Sequence, residues 1–158
     1  MSALQVAESH ALAVPSMARA YVAAEAESWL GTPYHECADV RGVGVDCAML
    51  LVRVYANCGL GDPTFDPRPY PPRFHLHRSE ELYEQWLTAA GARRVDDPQM
   101  GDIALFRFGR CFSHGAVIVD EQGSLVHAYI GLGVTFTRQG EAPLAGREVR
   151  YWSMFDGR

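Results

Sequence analysis

Cys47, His114 and His127 are the residues whose types and placement could together carry out nucleophilic chemistry. Cys47 follows Asp46 and opens an apolar stripe in which Cys47, Leu50, Leu51, Val54, Tyr55 and Cys58 recur at helical spacing, with Gly59 just beyond. The order predicts a helix over about 46–57. At its first turn, unpaired backbone N–H groups and the positive end of the helix dipole favour an anion. A thiolate is such an anion, and both effects lower a cysteine pKa. Asp46 suits the N-cap. Free cysteine is also among the most buried residue types, so Cys47 would equally suit the start of a core stripe.

The histidines supply what a thiol nucleophile needs. Strands are expected over 114–120 and 125–130, with His114, Ala116 and Ile118 sharing one face and Leu125, His127 and Tyr129 sharing another. An even loop around Glu121 and Gln122, with Asp120 opposite Gly123, puts His114 opposite Tyr129 and diagonal to His127. A three-residue loop without a bulge sends the two rings to opposite faces. In the paired arrangement His114 is the base for Cys47, and His127 holds the tautomer of His114, as a carboxylate does in other triads.

Other clusters point elsewhere less strongly. His75 and His77 alternate along an extended segment, and His35, Cys37 and Cys47 are close in sequence, but neither set has an established zinc spacing. No metal and no organic cofactor is implied. Gly42 and Gly44 in RGVGVD lack the third glycine and the preceding strand of a nucleotide fingerprint. Trp29, Trp86 and Trp152 suit core or rim positions.

The elements that must position these residues follow from pattern. A first helix is expected over 16–30, with Ser16 as N-cap and Gly31 past its end. Residues 32–45, holding Pro33, Gly42 and Gly44, read as a loop. Residues 60–78 hold five of the nine prolines and read as an extended connection that cannot be helix. A further helix is expected over 79–90, capped by Ser79. After Gly101 come short β-rich segments at 103–108, 114–120, 125–130, 134–137 and 149–155. Helices first and strands later indicate an α+β fold with an antiparallel sheet.

The 158 residues suit one domain, and 48% hydrophobic content is enough to fill its core. A net charge of −5, with no Lys or Arg run, gives no reason to approach a phosphate backbone, so nucleic acid is not expected as a partner. No apolar run reaches the roughly 20 residues of a membrane span, so no membrane insertion is expected. The N-terminal stretch has no basic n-region, and synthesis in the cytoplasm without a signal peptide is expected. The four cysteines lack C-x-x-C spacing and are expected to be free thiols.

Taken together, these residues resemble those of the NlpC/P60 cysteine peptidases, papain-related enzymes that cut stem peptides of bacterial cell walls. The likeness runs from Trp29 to about Phe136 in four blocks: WLGTPY at 29–34, GVDC at 44–47, GDIALF at 101–106, and SHGAVIV at 113–119 with LVHAY at 125–129. It implies a papain-like fold, with N-terminal helices packed on a central antiparallel sheet of about five strands. It also implies a catalytic triad of Cys47, His114 and His127, with Tyr34 and Asp46 beside the nucleophile supporting the thiol or the oxyanion. The implied reaction is hydrolysis of a γ-D-glutamyl to diamino-acid bond in peptidoglycan stem peptides, through an acyl-enzyme and without a cofactor. The Pro-rich middle around YPPRFHLH is most similar to the phage-tail branch, which implies phage tail proteins as partners and a place in the virion. A structural tail protein with little activity, or an amidase or acyltransferase on the same fold, are the competing expectations. Where the family reads D-C-S-G, this chain has Asp46, Cys47, Ala48 and Met49, which puts a long side chain where the helix approaches the sheet.

Overall fold

The sheet that carries the two histidines has six strands, all paired antiparallel, in the order β3-β8-β4-β5-β6-β7. They are β3 (Arg93–Val95), β4 (Ile103–Phe108), β5 (Cys111–Ile118), β6 (Leu125–Tyr129), β7 (Gly133–Thr137) and β8 (Val149–Ser153). This computed structural model describes residues 16–71, 73–77 and 80–156, less the side chains of His75 and His77. The protein is therefore α+β with an antiparallel sheet, as the order of helical and β-rich segments requires. The sixth strand is β3. Its Arg93 and Arg94 are exposed and only Val95 is buried, so it shows no apolar alternation by which the sequence could announce it.

Among the described residues four helices accompany the sheet. The first, α1, is helical over 16–27 of the described residues and gives way to turns over 28–31, so it ends before the expected residue 30. Its inner face holds Val22, Ala23 and Ala26, and Trp29 continues that face at 2% exposure. Next come β1 (Asp39–Val40) and β2 (Gly44–Val45), a two-residue hairpin inside the expected loop over 32–45. The central helix, α2 (Cys47–Asn57), packs on β5 and β6 with Met49, Leu50, Leu51 and Val54 inward. Met49, standing where the resembled family has glycine, is fully buried in the core.

The segment over 60–78 is not wholly extended. Phe74–His77 form a single helical turn, α3, because the last proline of the segment is Pro72 and nothing after it blocks helical geometry. The last helix, α4 (Leu82–Ala89), begins later than expected and has Glu81 at its N-cap, with no side-chain capping bond. Ser79, expected as that cap, lies outside the described residues. Trp86 joins α4 to the Pro-rich segment: its ring lies 4.9 Å from Tyr70, 5.4 Å from Phe74 and 5.6 Å from Tyr83. No helix among the described residues is long and apolar enough to cross a membrane. All four cysteines are free.

One close approach fixes how α4 sits against the sheet. Tyr83 is buried, and its hydroxyl donates to the Cys47 carbonyl at 2.9 Å, crossing directly over Gly115 of β5. A methyl group at position 115 would lie 2.3 Å from the Tyr83 oxygen and 2.8 Å from its ring carbon. Gly115→Ala must therefore expel the ring or move α2, and overpacking of this kind costs about 1–3 kcal/mol. A lowered urea midpoint with an unchanged m-value is the expected result; a midpoint equal to wild type would show that Tyr83 is not wedged there.

Candidate active site

Cys47 is the first residue of α2, as the apolar stripe implies, and Asp46 is its N-cap, accepting from Met49 N at 2.8 Å. The same carboxylate accepts from Cys37 N at 2.7 Å and from the Tyr70 hydroxyl. Asp46 is buried and has three donors, so it ties together the start of α2, the loop at Cys37 and the Pro-rich segment at Tyr70. The N-cap place expected for Asp46 is the one it takes. Its carboxylate is occupied by these neighbours.

Tyr34 reaches the same place by another route. Residues 33–35 run alongside Val45, with His35 N donating to Val45 O and Val45 N to Pro33 O, both at 3.0 Å, in a parallel bridge at Tyr34. Burial, then the proximity of Cys47 and Asp46, push the Tyr34 hydroxyl far above the usual phenol range. It keeps its proton and remains a donor.

His114 lies in the middle of β5. The strand begins at Cys111, three positions before the expected start. The β4–β5 register steps between Phe106 paired with His114 and Arg107 paired with Phe112, so Ser113 has no ladder partner on β4. Such bulges re-aim backbone and side chains beside active sites. Here the Ser113 carbonyl lies 3.7 Å from the Cys47 sulfur, which donates to it. Nothing in the sequence marks this bulge.

The β5–β6 register pairs Val117 with Val126 and Ile118 with Leu125. This is the even-loop pairing, with Asp120 and Gly123 closing the turn and the Asp120 carboxylate accepting from Gln122 N and Ser124 N. His114 and His127 consequently share a face. His114 Nε2 lies 2.8 Å from His127 Nδ1, with the rings nearly perpendicular at 89°. Tyr129 packs edge-on against His114 at 5.6 Å, and Phe108 lies 5.1 Å from it. His127 is fully buried, and its Nε2 lies 2.8 Å from the Thr137 hydroxyl.

Cys47, His114, Tyr34 and Tyr70 line one cleft of about 350 Å³. Its walls are mostly apolar, with Phe74, Leu76 and Ile130 at its sides and Glu36, Asp46 and Arg73 as charged members. Sequence reasoning did not single out Ser113, Tyr70, Tyr83 or Thr137. Of these, Thr137 alone had a readable signal, since it falls on the His127 face once β6 and β7 are paired. His35, Cys37 and Cys47 form no metal-ligand group, and no such group of three or more occurs among the described residues.

Electrostatics set the resting state of the site. Burial, then the Asp46 carboxylate, push the Cys47 thiol up to about 12, against the pull of the backbone N–H groups of Gly115, Cys47 and Ala48. The expected lowering by the helix N-terminus is present but outweighed, and the residue that caps the helix contributes to outweighing it. Burial pulls His127 down to about 4, so at neutral pH it is uncharged.

That depression has a consequence for stability. Between an unfolded value near 6.5 and the folded value near 4, the unfolded chain binds a proton that the native protein does not. The slope of stability with pH is therefore positive in this window, and about 3 kcal/mol is lost as pH falls from 7 to 4. His127→Gln should flatten this part of the curve in urea titrations. An equally steep fall in that variant would assign the acid sensitivity to other groups. Compared with known proteins, the chain matches no family model and no curated protein.

Proposed function

We propose that the protein is a cysteine peptidase of the NlpC/P60 type, with a papain-like arrangement, that hydrolyses an amide bond in peptidoglycan stem peptides. The γ-D-glutamyl to diamino-acid bond is the one this reading favours, and a phage tail is the setting in which it acts. The observation that carries the reading is the 2.8 Å contact between His114 and His127 at a cleft that also holds Cys47 at a helix N-terminus.

The chemistry follows from these positions. Neutral His114 accepts the Cys47 proton as sulfur attacks the substrate carbonyl, and the carbonyl oxygen takes up the negative charge. The Cys47 N–H and the protonated Tyr34 hydroxyl are the donors for that oxyanion, a contribution often worth about 3–4 kcal/mol for a single donor. The tetrahedral species expels the amine, which takes the proton from His114, and a thioester remains on Cys47. Water, deprotonated by His114, then attacks the thioester, and the thiol returns as the acid leaves. The mostly apolar walls of the cleft lower the local dielectric, which strengthens each of these interactions.

The test is incubation of the protein with purified peptidoglycan and identification of the released fragments by mass spectrometry. Fragments ending in a free γ-glutamyl carboxyl, matched by a new free amine on the diamino acid, are expected. Folded protein that releases nothing, or that cuts only glycosidic bonds, would overturn the proposal.

A further inference from the structure

Behind His127 stands a residue with no part in the scheme above. Thr137 of β7 is buried, and its hydroxyl lies 2.8 Å from His127 Nε2. The β6–β7 register pairs His127 with Thr135 and Leu125 with Thr137, so Thr137 is diagonal to His127 on the same face. Thr137, His127 and His114 thus form a hydrogen-bonded chain across three adjacent strands that ends at the cleft.

We propose that Thr137 is a positioning residue whose hydroxyl oxygen accepts the Nε2 proton of His127, which leaves His127 Nδ1 free to accept the Nε2 proton of His114. The proposal rests on the cysteine-peptidase reading, because it is the base role of His114 that selects this direction of the chain.

A neutral imidazole has one donor and one acceptor nitrogen, while a hydroxyl can serve as either. If Thr137 donated to His127 Nε2, the His127 proton would sit on Nδ1 and point at His114 Nε2. His114 would then hold its own proton on Nδ1 and have no lone pair for the thiol. The charged state is more restrictive. Once His114 has taken the thiol proton, both its nitrogens carry hydrogen, and its Nε2–H needs an acceptor. His127 offers one only with Nδ1 bare, which puts its proton on Nε2, facing Thr137. Burial keeps His127 neutral and is the sole cause of its lowered pKa. The titratable rings against it are His114 on β5 and Tyr129 on β6, with Cys47 of α2 in the cleft beside His114.

Thr137→Val keeps the shape and removes the oxygen; Thr137→Ser keeps the oxygen. In the valine variant, kcat on peptidoglycan should fall about 10- to 100-fold, as when the partner behind a functional imidazole is lost. KM should hold, and the acid limb of the kcat/KM profile should move to lower pH, because the His114 imidazolium loses support. Serine should restore all three. Long-range 15N correlation spectra of wild type should show His127 protonated on Nε2 and bare on Nδ1. Wild-type kcat in Thr137→Val, or a wild-type spectrum with the His127 proton on Nδ1, would overturn the proposal. Should the valine variant fail to fold, the wild-type spectrum still decides. If folded wild type releases no peptidoglycan fragments, the peptidase reading fails on that ground, and the spectrum separately decides the direction of the chain.

Discussion

Cys47→Ala should lose stem-peptide hydrolysis by at least about a thousandfold while keeping the wild-type fold, because removing a covalent nucleophile removes the reaction path itself. The state of the thiol makes the dependence on its base equally strong. With its pKa pushed up to about 12, unassisted ionisation at pH 7 would leave on the order of one thiolate in a hundred thousand molecules. Turnover through that fraction alone would be negligible, so in the proposed reaction proton transfer to His114 during attack supplies the nucleophile, and His114→Ala should fall to the same floor. The structural cost of Cys47→Ala should be small, since the only bond the thiol itself donates is the weak 3.7 Å one to the Ser113 carbonyl and alanine keeps the Cβ at the start of α2. Cys111→Ser provides the contrast. Cys111 is fully buried in the core and absent from the cleft, so its hydroxyl should cost about 1–3 kcal/mol of stability with the rate per folded molecule unchanged. Cys47→Ala protein that still released fragments at a tenth of the wild-type rate would remove the thiol from the mechanism.

How far the sequence prepares for this site differs from residue to residue. The helix behind Cys47 is legible because its stripe repeats at helical spacing from Cys47 to Cys58, and Asp46 is legible as its cap because acceptor side chains suit that position. The pairing of His114 with His127 depends on one turn. Once Asp120 closes it through two backbone N–H groups and Gly123 takes a φ of 79°, strand parity does the rest. What the sequence leaves hidden depends on contacts between distant segments. The Ser113 bulge arises between β4 and β5, Tyr83 meets the Cys47 carbonyl across 36 positions, and Tyr70 meets Asp46 across 24. The net shift of the thiol is hidden for the same reason. A helix N-terminus is visible locally, but the depth at which it is buried is set by everything packed over it.

The largest expected loss of stability lies outside the cleft, at the residue just before β4. Asp102 is fully buried, and its Oδ1 accepts from Arg19 Nη1 of α1 at 3.0 Å while its Oδ2 accepts from Gln99 N at 2.9 Å. The same Arg19 nitrogen donates to Met100 O at 2.9 Å, and the guanidinium lies 4.3 Å from the centre of the Phe155 ring. Gly101 permits this closeness: a methyl group there would lie 3.2 Å from the Arg19 Cα and from the Phe155 ring. A buried ion pair adds little net stability over a well-packed apolar pair, because both charges are desolvated to form it. Breaking it from one side is different. Asp102→Ala leaves the Arg19 charge enclosed with the Met100 carbonyl and the Phe155 ring but no counter-charge from Asp102, and the expected loss is about 3–5 kcal/mol. For a chain of this length that is a fall in Tm of about 10 °C or more. Adding Arg19→Leu should return part of the loss, since the stranded charge goes with it, and this recovery separates a charge effect from a simple cavity. A single variant within 1 kcal/mol of wild type, or a double variant worse than the sum of the singles, would mean that α1 is held to the sheet by its apolar face alone.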